Sequence, residues 1–118
     1  MEITSDLKQE LEQFIGSEQL YRHWLRLTYT DGIKYLAEKA QAYWLIDYIA
    51  SAQPLKAVRC EPFQVWRLTV HADRKAEIAA DDGNGKVIFN GKIPYTDFPL
   101  IEIKLYVADG TLLLPSEY

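Results

Sequence analysis

Cysteine is almost missing from this sequence. Cys60 is the one thiol among 118 residues, so no disulfide can form within the chain and zinc sites built from several cysteines are excluded. The amino terminus lacks the basic and apolar segments of a secretory signal peptide. We therefore expect a soluble protein of the cytoplasm.

Long apolar runs and basic clusters are missing as well. No apolar stretch approaches the ~20 residues that a helix needs to span a bilayer, so we expect no membrane insertion. The formal net charge is −4, and lysine and arginine never occur in runs longer than two. Because nucleic-acid binding depends on the neutralisation of phosphates, this acidic and scattered charge argues against a nucleic-acid partner.

The usual catalytic and metal-binding motifs do not occur either. Gly83 and Gly85 are close together, but no helix pattern follows them, which excludes a phosphate-binding loop. The sequence has no Gly-x-Ser-x-Gly segment. His23 and His71 belong to no metal-binding pattern. We predict no metal, no cofactor and no catalytic residue, and this favours a non-enzymatic protein.

The sequence does contain enough apolar material for one compact domain. Hydrophobic residues make up 48% of the chain and charged residues 25%, which are values typical of globular domains. A chain of this length buries roughly two-thirds of its surface around one core and is too short for two. We expect a single domain over residues 1–118.

The amino-terminal part predicts a helix, a strand and a tight turn. Residues 4–15 have the apolar spacing of an amphipathic helix, which Gly16 ends. Residues 20–30 are rich in aromatic and β-branched types, which favours a strand. The dipeptide Asp31-Gly32 after them is typical of a hairpin turn.

The next segment fits two structures. Residues 33–40 have good helix propensity, whereas the turn before them favours a strand, and we favour a short returning strand that leads into a helix. Residues 41–52 predict a second helix with alanine, leucine and isoleucine on one face. Since few charges occur on its other face, we expect this helix to be buried on most sides.

From Phe63 onward the hydrophobic pattern has a period of two, as in half-buried strands. At 101–107, apolar residues facing the core alternate with Glu102, Lys104 and Tyr106 on the other side. The order of elements predicts the α+β class, with an N-terminal helix, a hairpin and a second helix packed on a mostly antiparallel β-meander of about five strands.

Aromatic and polar side chains gather in two segments of the amino-terminal half. The candidate binding residues for a ligand or partner are Tyr21, His23, Trp24, Tyr43, Trp44 and Asp47. Asp47 lies in an apolar helix segment, where burying an unpaired charge is costly, so we expect a partner for it such as Arg22, Arg26 or His23. Such a pair either fixes the helix to the sheet or supplies the acid of a pocket, and both interpretations remain open.

Four blocks of the sequence carry a resemblance to a known family. They are YRHWL at 21–25, YTDGIKYLAEKAQAYWLIDYIAS at 29–51, EPFQVW at 61–66 and YTDFPLIEIKLYVADGTLLLPSEY at 95–118. In this order they resemble a family of small bacterial proteins, of cyanobacterial type, classed as a domain of unknown function. The resemblance implies no activity and no site residue. It suggests a β-rich domain with a curled, cupin-like sheet, although the metal-binding histidines of cupins are missing.

Three hypotheses for the function follow. An aromatic surplus without a catalytic motif favours a small domain that binds a partner protein or forms a homo-oligomer, because tyrosine and tryptophan are enriched at interfaces. The alternative is a small-molecule or hydrolytic pocket, which requires His23 and Asp47 to converge with Tyr21 and Tyr43. A third hypothesis is a regulator associated with a mobile element, which would reach DNA through a partner.

Overall fold

The computed structural model describes residues 3–14, 20–22 and 27–118. Helices and one sheet make up this part of the chain. The helices are α1 (Ile3–Leu11), α2 (Asp31–Lys39), α3 (Tyr43–Ala52) and α4 (Lys56–Arg59). The strands are β1 (Leu20–Arg22), β2 (Thr28–Thr30), β3 (Phe63–Val70), β4 (Ala76–Asp81), β5 (Val87–Ile93), β6 (Glu102–Ala108) and β7 (Thr111–Leu113). A 3₁₀ turn, Pro115–Glu117, follows β7. The α+β class is confirmed.

The described strands form one open sheet in the order β1-β2-β7-β6-β3-β4-β5. All neighbours are antiparallel except β2 and β7, which are parallel. The predicted meander is wrong in one connection, because β6 pairs with β3 rather than with β5. Strands β3, β4 and β5 are neighbours in sequence order, and β6 returns to lie beside β3. This arrangement of four antiparallel strands is a Greek key. An open sheet is compatible with the curled sheet expected from the sequence.

The hairpin of the amino-terminal half occurs earlier than predicted. Leu20 pairs with Thr30 and Arg22 with Thr28, so β1 and β2 are two short antiparallel strands, where one long strand was predicted. Asp31 and the glycine after it, predicted as the turn, form the first residues of α2.

Residues 33–40, for which we favoured a returning strand, lie in α2 apart from the cap residue Ala40. The helix begins here because the Thr30 hydroxyl accepts a hydrogen bond from the backbone N–H of Ile33 at 3.2 Å, which caps it. Gly32 has a steric role instead of a turn role, since an added Cβ would lie 2.7 Å from Glu117 Oε1. The hairpin signal was therefore overridden by a capped helix.

The second helix is confirmed within two residues of its predicted start. Its apolar face is buried, and Leu45 and Ile49 pack against Trp66, Leu68 and their neighbours on the sheet. The expectation that α3 is buried on most sides holds in part, because half of its residues are buried and one stripe, Tyr43, Asp47 and Ser51, is exposed. The helix therefore covers the sheet with one face and presents the other to solvent.

The sheet has one covered face and one open face. Alternate residues of β3, β4 and β6, such as Trp66, Ile78 and Leu105, are buried beneath the helices. The residues between them point away from the helices, and Arg67 and Lys104 among them are exposed. Of the helices that the structure describes, none has the length and apolar character needed to cross a membrane.

Candidate functional site

Two of the candidate residues, Tyr21 and Tyr43, lie on the same side of α2. The Tyr21 ring stacks on Tyr29 with centroids 5.6 Å apart, and Lys34 Nζ lies 5.0 Å from the Tyr21 centroid. The Tyr43 hydroxyl donates a hydrogen bond of 3.3 Å to Glu38 Oε2, which also lies 3.5 Å from Lys34 Nζ. The lysine and glutamate of α2 thus link the two tyrosines.

Charge and partial burial act on the titration of this group. The negative charge of Glu38 raises the pKa of Lys34 above its ordinary value. Partial burial, with Glu38 next in importance, raises the pKa of Tyr43. Both groups therefore keep their ordinary protonation at neutral pH, and nothing in this arrangement prepares a tyrosinate or a neutral lysine for catalysis.

The other candidate residues do not join this group. The Trp44 ring packs edge-on against Phe98, with centroids 6.5 Å apart, and lines a shallow cavity of about 240 Å³ with Tyr95 and Asp97. Asp47 is exposed on the outer face of α3, so the expectation of a buried carboxylate is wrong. The cavities beside α3 do not include it. His23 and Trp24 lie outside the described residues.

One histidine and one carboxylate do meet elsewhere. His71 Nε2 lies 3.0 Å from Glu77 Oε2 beside a cavity of about 330 Å³. The two side chains are 47% and 59% exposed, so the pair lies at the surface in contact with water. Within the described ranges, no three His, Cys, Asp or Glu side chains lie close enough together to hold a metal ion.

The open face of the sheet carries an aromatic trio, which we define as Phe63, Tyr106 and Tyr118. Their ring centroids lie 5.2 to 5.5 Å apart in tilted and edge-on arrangements. Phe63 and Tyr106 come from β3 and β6, and the 3₁₀ turn brings Tyr118 over them. Tyr118 is 73% exposed. A sheet face that ends in clustered, accessible aromatic rings is a common basis for binding.

Two rows of charge lie beside the trio on the same face. The cationic row is Arg67 and Lys104, which are directly opposite each other on β3 and β6. The acidic row is Glu102 and Glu77, both opposite Thr69. Like charges opposite each other destabilise a sheet, and the chain offsets only part of this cost.

Asp81 supplies that partial offset. Its Oδ2 lies 2.8 Å from Arg67 Nη1, while Lys104 has no ion pair within the described residues and its Nζ lies 5.8 Å from the Tyr106 centroid. Fold stability alone does not explain a second cation here. The trio and the two rows together form the candidate site, which we call the open-face site.

A comparison with protein families matches residues 5–118 to the model described as Family of unknown function (DUF6876). The chain belongs to this family. The match confirms the resemblance to a family of unknown function, while its bacterial, cyanobacterial type stays a prediction, and the DUF6876 description assigns no activity. No curated protein and no solved structure matches the chain. Any function of this DUF6876 domain must therefore be argued from its own residues.

Sequence reasoning missed the open-face site, although its signal was present. Tyr106 was correctly placed on the solvent side of its strand with Glu102 and Lys104, but its partners come from other elements. Phe63 lies at the first position of β3, and Tyr118 is brought to it by a turn that has no strong sequence pattern. Only the register between β3 and β6 brings the rings of Phe63 and Tyr106 together.

Proposed function

We propose that the chain is a non-enzymatic interaction domain, which associates with a second copy through the open-face site. The observation that carries the proposal is the exposed aromatic trio beside two complementary rows of charge. Aromatic rings that are already packed against one another lose little conformational freedom on binding, so they contribute affinity at low entropic cost.

The arrangement of charge favours a second copy as the partner. In a two-fold dimer the same surface meets itself, so it must be self-complementary. Two open faces can pack with their strands parallel to one another in space but running in opposite directions. The cationic row of each copy then lies over the acidic row of the other copy. Lys104 of each copy then approaches Glu102 of the other, which compensates the excess positive charge beside Arg67.

The test is a concentration series of sedimentation velocity on the wild-type chain and three charge variants. Lys104→Glu and Glu102→Lys should each weaken association by about tenfold, because each places like charges across the interface. The double variant should restore most of it, since the rows are exchanged but remain complementary. Restoration distinguishes a direct contact from a general loss of stability.

A pair of tyrosine variants tests the aromatic trio with a matched control. Tyr118→Ala should weaken association by about tenfold or more, as expected for an exposed aromatic residue that packs in an interface. Tyr95→Ala should leave it unchanged, because Tyr95 is similarly exposed, at 67% against 73%, but lies on the loop after β5. A wild-type chain that is monomeric at every concentration would contradict the proposal.

The cytoplasmic location and the cupin-like curvature stay predictions that rest on the sequence. The same is true of the pocket around His23 and Asp47 and of a role beside a mobile element. None of them is part of the proposal.

A further inference from the structure

Among the strands that the structure describes, none lies beside the first part of β6 on one of its sides. Strand β7 pairs with it only from Tyr106 to Ala108, whereas β6 begins four residues earlier at Glu102. In an antiparallel strand, the backbone N–H and C=O of alternate residues point to opposite neighbours. The Ile101 carbonyl accepts a hydrogen bond from the Val70 N–H at 2.8 Å. The backbone N–H and C=O groups of the odd-numbered residues of β6 therefore point to β3. The backbone N–H and C=O groups of Glu102 and Lys104 therefore point to the opposite side of β6, which β7 does not cover here.

The sequence itself ends β7 at this place. Tyr106 pairs with Leu113, so a continued β7 would bring residue 115 opposite Lys104. Residue 115 is a proline, which has no N–H to donate to the Lys104 carbonyl. The chain turns away into Pro115–Glu117 instead. Four backbone groups along this edge, the N–H and C=O of Glu102 and of Lys104, therefore have no strand partner within residues 3–14, 20–22 and 27–118.

A slot runs along this edge, and helix α1 forms its other wall. Its volume is about 300 Å³. The apolar lining comes from Leu11 of α1, Leu100 before β6 and Leu114 with Pro115 after β7. Each wall carries one lysine and one glutamate, Lys8 and Glu12 on α1 and Lys104 and Glu102 on β6. The slot is therefore apolar inside, has no net charge, and has hydrogen-bonding backbone along one wall.

We propose that the slot between α1 and the free edge of β6 binds an extended, uncharged peptide segment of a partner protein, which adds a strand antiparallel to β6. Strand addition of this kind uses main-chain hydrogen bonds for affinity and apolar pockets for alternate side chains. The incoming segment takes the place that the continuation of β7 would have occupied.

The form of the slot selects this occupant over others. A compact small molecule would leave the regularly spaced backbone groups of Glu102 and Lys104 unsatisfied, which weakens its binding. A charged peptide would gain nothing from walls with balanced charge. A second copy associating through the open-face site approaches the face of the sheet, whereas the slot opens along its edge. Both proposals involve Glu102 and Lys104, but the dimer uses their side chains and the peptide uses their backbone groups, so the two proposals are tested separately.

The experiment uses a blocked hexapeptide of alternating valine and threonine as the probe. It is titrated into the ¹⁵N-labelled full chain at a dilution where the chain is monomeric, up to about 1 mM peptide, which detects weak specific binding. The backbone amide signals of Glu102 and Lys104 should shift most. A peptide of the same sequence, N-methylated at alternate amides, keeps the side chains but cannot pair and should bind at least about tenfold more weakly.

Three protein variants separate the backbone from the side chain. Lys104→Pro removes the N–H that faces the slot without removing a bond to β3, and proline is tolerated on a strand edge, so peptide affinity should fall about tenfold or more. Lys104→Ala also removes the lysine side chain but keeps that N–H, so it should bind the peptide about tenfold or more tightly than Lys104→Pro. Ser116→Trp leaves the backbone of β6 unchanged and should block the slot, which keeps the proposal testable if the proline variant does not fold.

Hydrogen exchange of the free monomer gives an independent measurement. The Lys104 amide should exchange much faster than the Ile103 and Leu105 amides, which are bonded to β3. Protection of the Lys104 amide without peptide would mean that the edge is already paired, and this result overturns the proposal. Absence of shifts at Glu102 and Lys104, or equal affinity of the normal and N-methylated peptides, overturns it as well.

Discussion

At the scale of single residues, Gln64 is an example of a buried polar group with every position used. Gln64 is only 2% exposed. The amide nitrogen donates to the carbonyls of Val58 and Glu61, and the amide oxygen accepts from Trp66 Nε1 at 2.8 Å. A reciprocal amide pair with Gln53, at 3.0 Å in both directions, joins β3 to the end of α3, and the two hydrogens of the Gln64 amide are shared among its three acceptors.

Substitution of Gln64 should therefore be costly for stability. Gln64→Leu has a similar volume but removes the acceptor of the Trp66 indole N–H and the donor to the Glu61 carbonyl, and we expect a loss of about 2–4 kcal/mol in the free energy of unfolding. Gln53→Leu, at a half-buried position with fewer bonds, should lose less than half as much. Urea denaturation of both variants measures the difference, and equal losses would contradict the role given to Gln64.

At the scale of elements, local sequence patterns predicted most boundaries but not every type. The strands from Phe63 onward follow a clear period of two, and all five were predicted. Residues 31–40 were not, because Asp31-Gly32 favours a turn when considered alone. The deciding contacts come from Thr30, which caps the helix, and from Glu117, which is distant in sequence. No local pattern contains the second contact, so this helix could not be predicted from its own segment.

The packing of α3 on β5 depends on a glycine and gives an element-scale prediction. Gly91 has no positive φ, so space alone explains it, and an added Cβ would clash with the Tyr48 hydroxyl. The Tyr48 ring is held edge-on to Phe89, with centroids 5.8 Å apart, and cannot move freely. Gly91→Ala should therefore destabilise the chain by about 1–3 kcal/mol.

Removal of the clashing atom is the control for this prediction. Tyr48→Phe deletes the hydroxyl and should change stability little by itself. In the double variant, the loss caused by Gly91→Ala should be reduced by at least half. Thermal or urea unfolding of all four chains gives the coupling energy. Simple additivity would mean that the hydroxyl is not what Gly91 accommodates.

At the scale of the whole molecule, the sequence predicted the class but not the pairing of strands. Alternation of apolar residues identifies strands and their buried faces, yet it contains no information on which strand is the neighbour. The meander prediction therefore placed β6 beside β5 in the sheet, whereas β6 pairs with β3. The open-face site depends on that pairing, since it brings Phe63 to Tyr106. For the same reason the slot beside β6 could not be predicted, because it depends on where β7 stops.

One hydrogen bond between the two halves of the chain spans 87 positions. The Thr30 hydroxyl donates to Glu117 Oε1 at 2.7 Å, and the same oxygen accepts from the backbone N–H of Leu114 at 2.9 Å. Thr30 thus caps α2 and, at the same time, connects that helix to the 3₁₀ turn after β7. The Glu117 carboxylate therefore supports both the start of α2 and the 3₁₀ turn after β7.

A double-mutant cycle measures how much this contact contributes. Thr30→Val should cost about 2–3 kcal/mol, since it removes both the helix cap and a hydrogen bond to a charged group. Glu117→Ala should cost about 1–3 kcal/mol. Because both variants remove the same hydrogen bond, the double variant should lose at least about 1 kcal/mol less than the sum. Thr30→Ser keeps the hydroxyl and should remain close to the wild-type chain. If the two losses add without coupling, Glu117 supports the turn after β7 alone and the helix is held to it by other contacts.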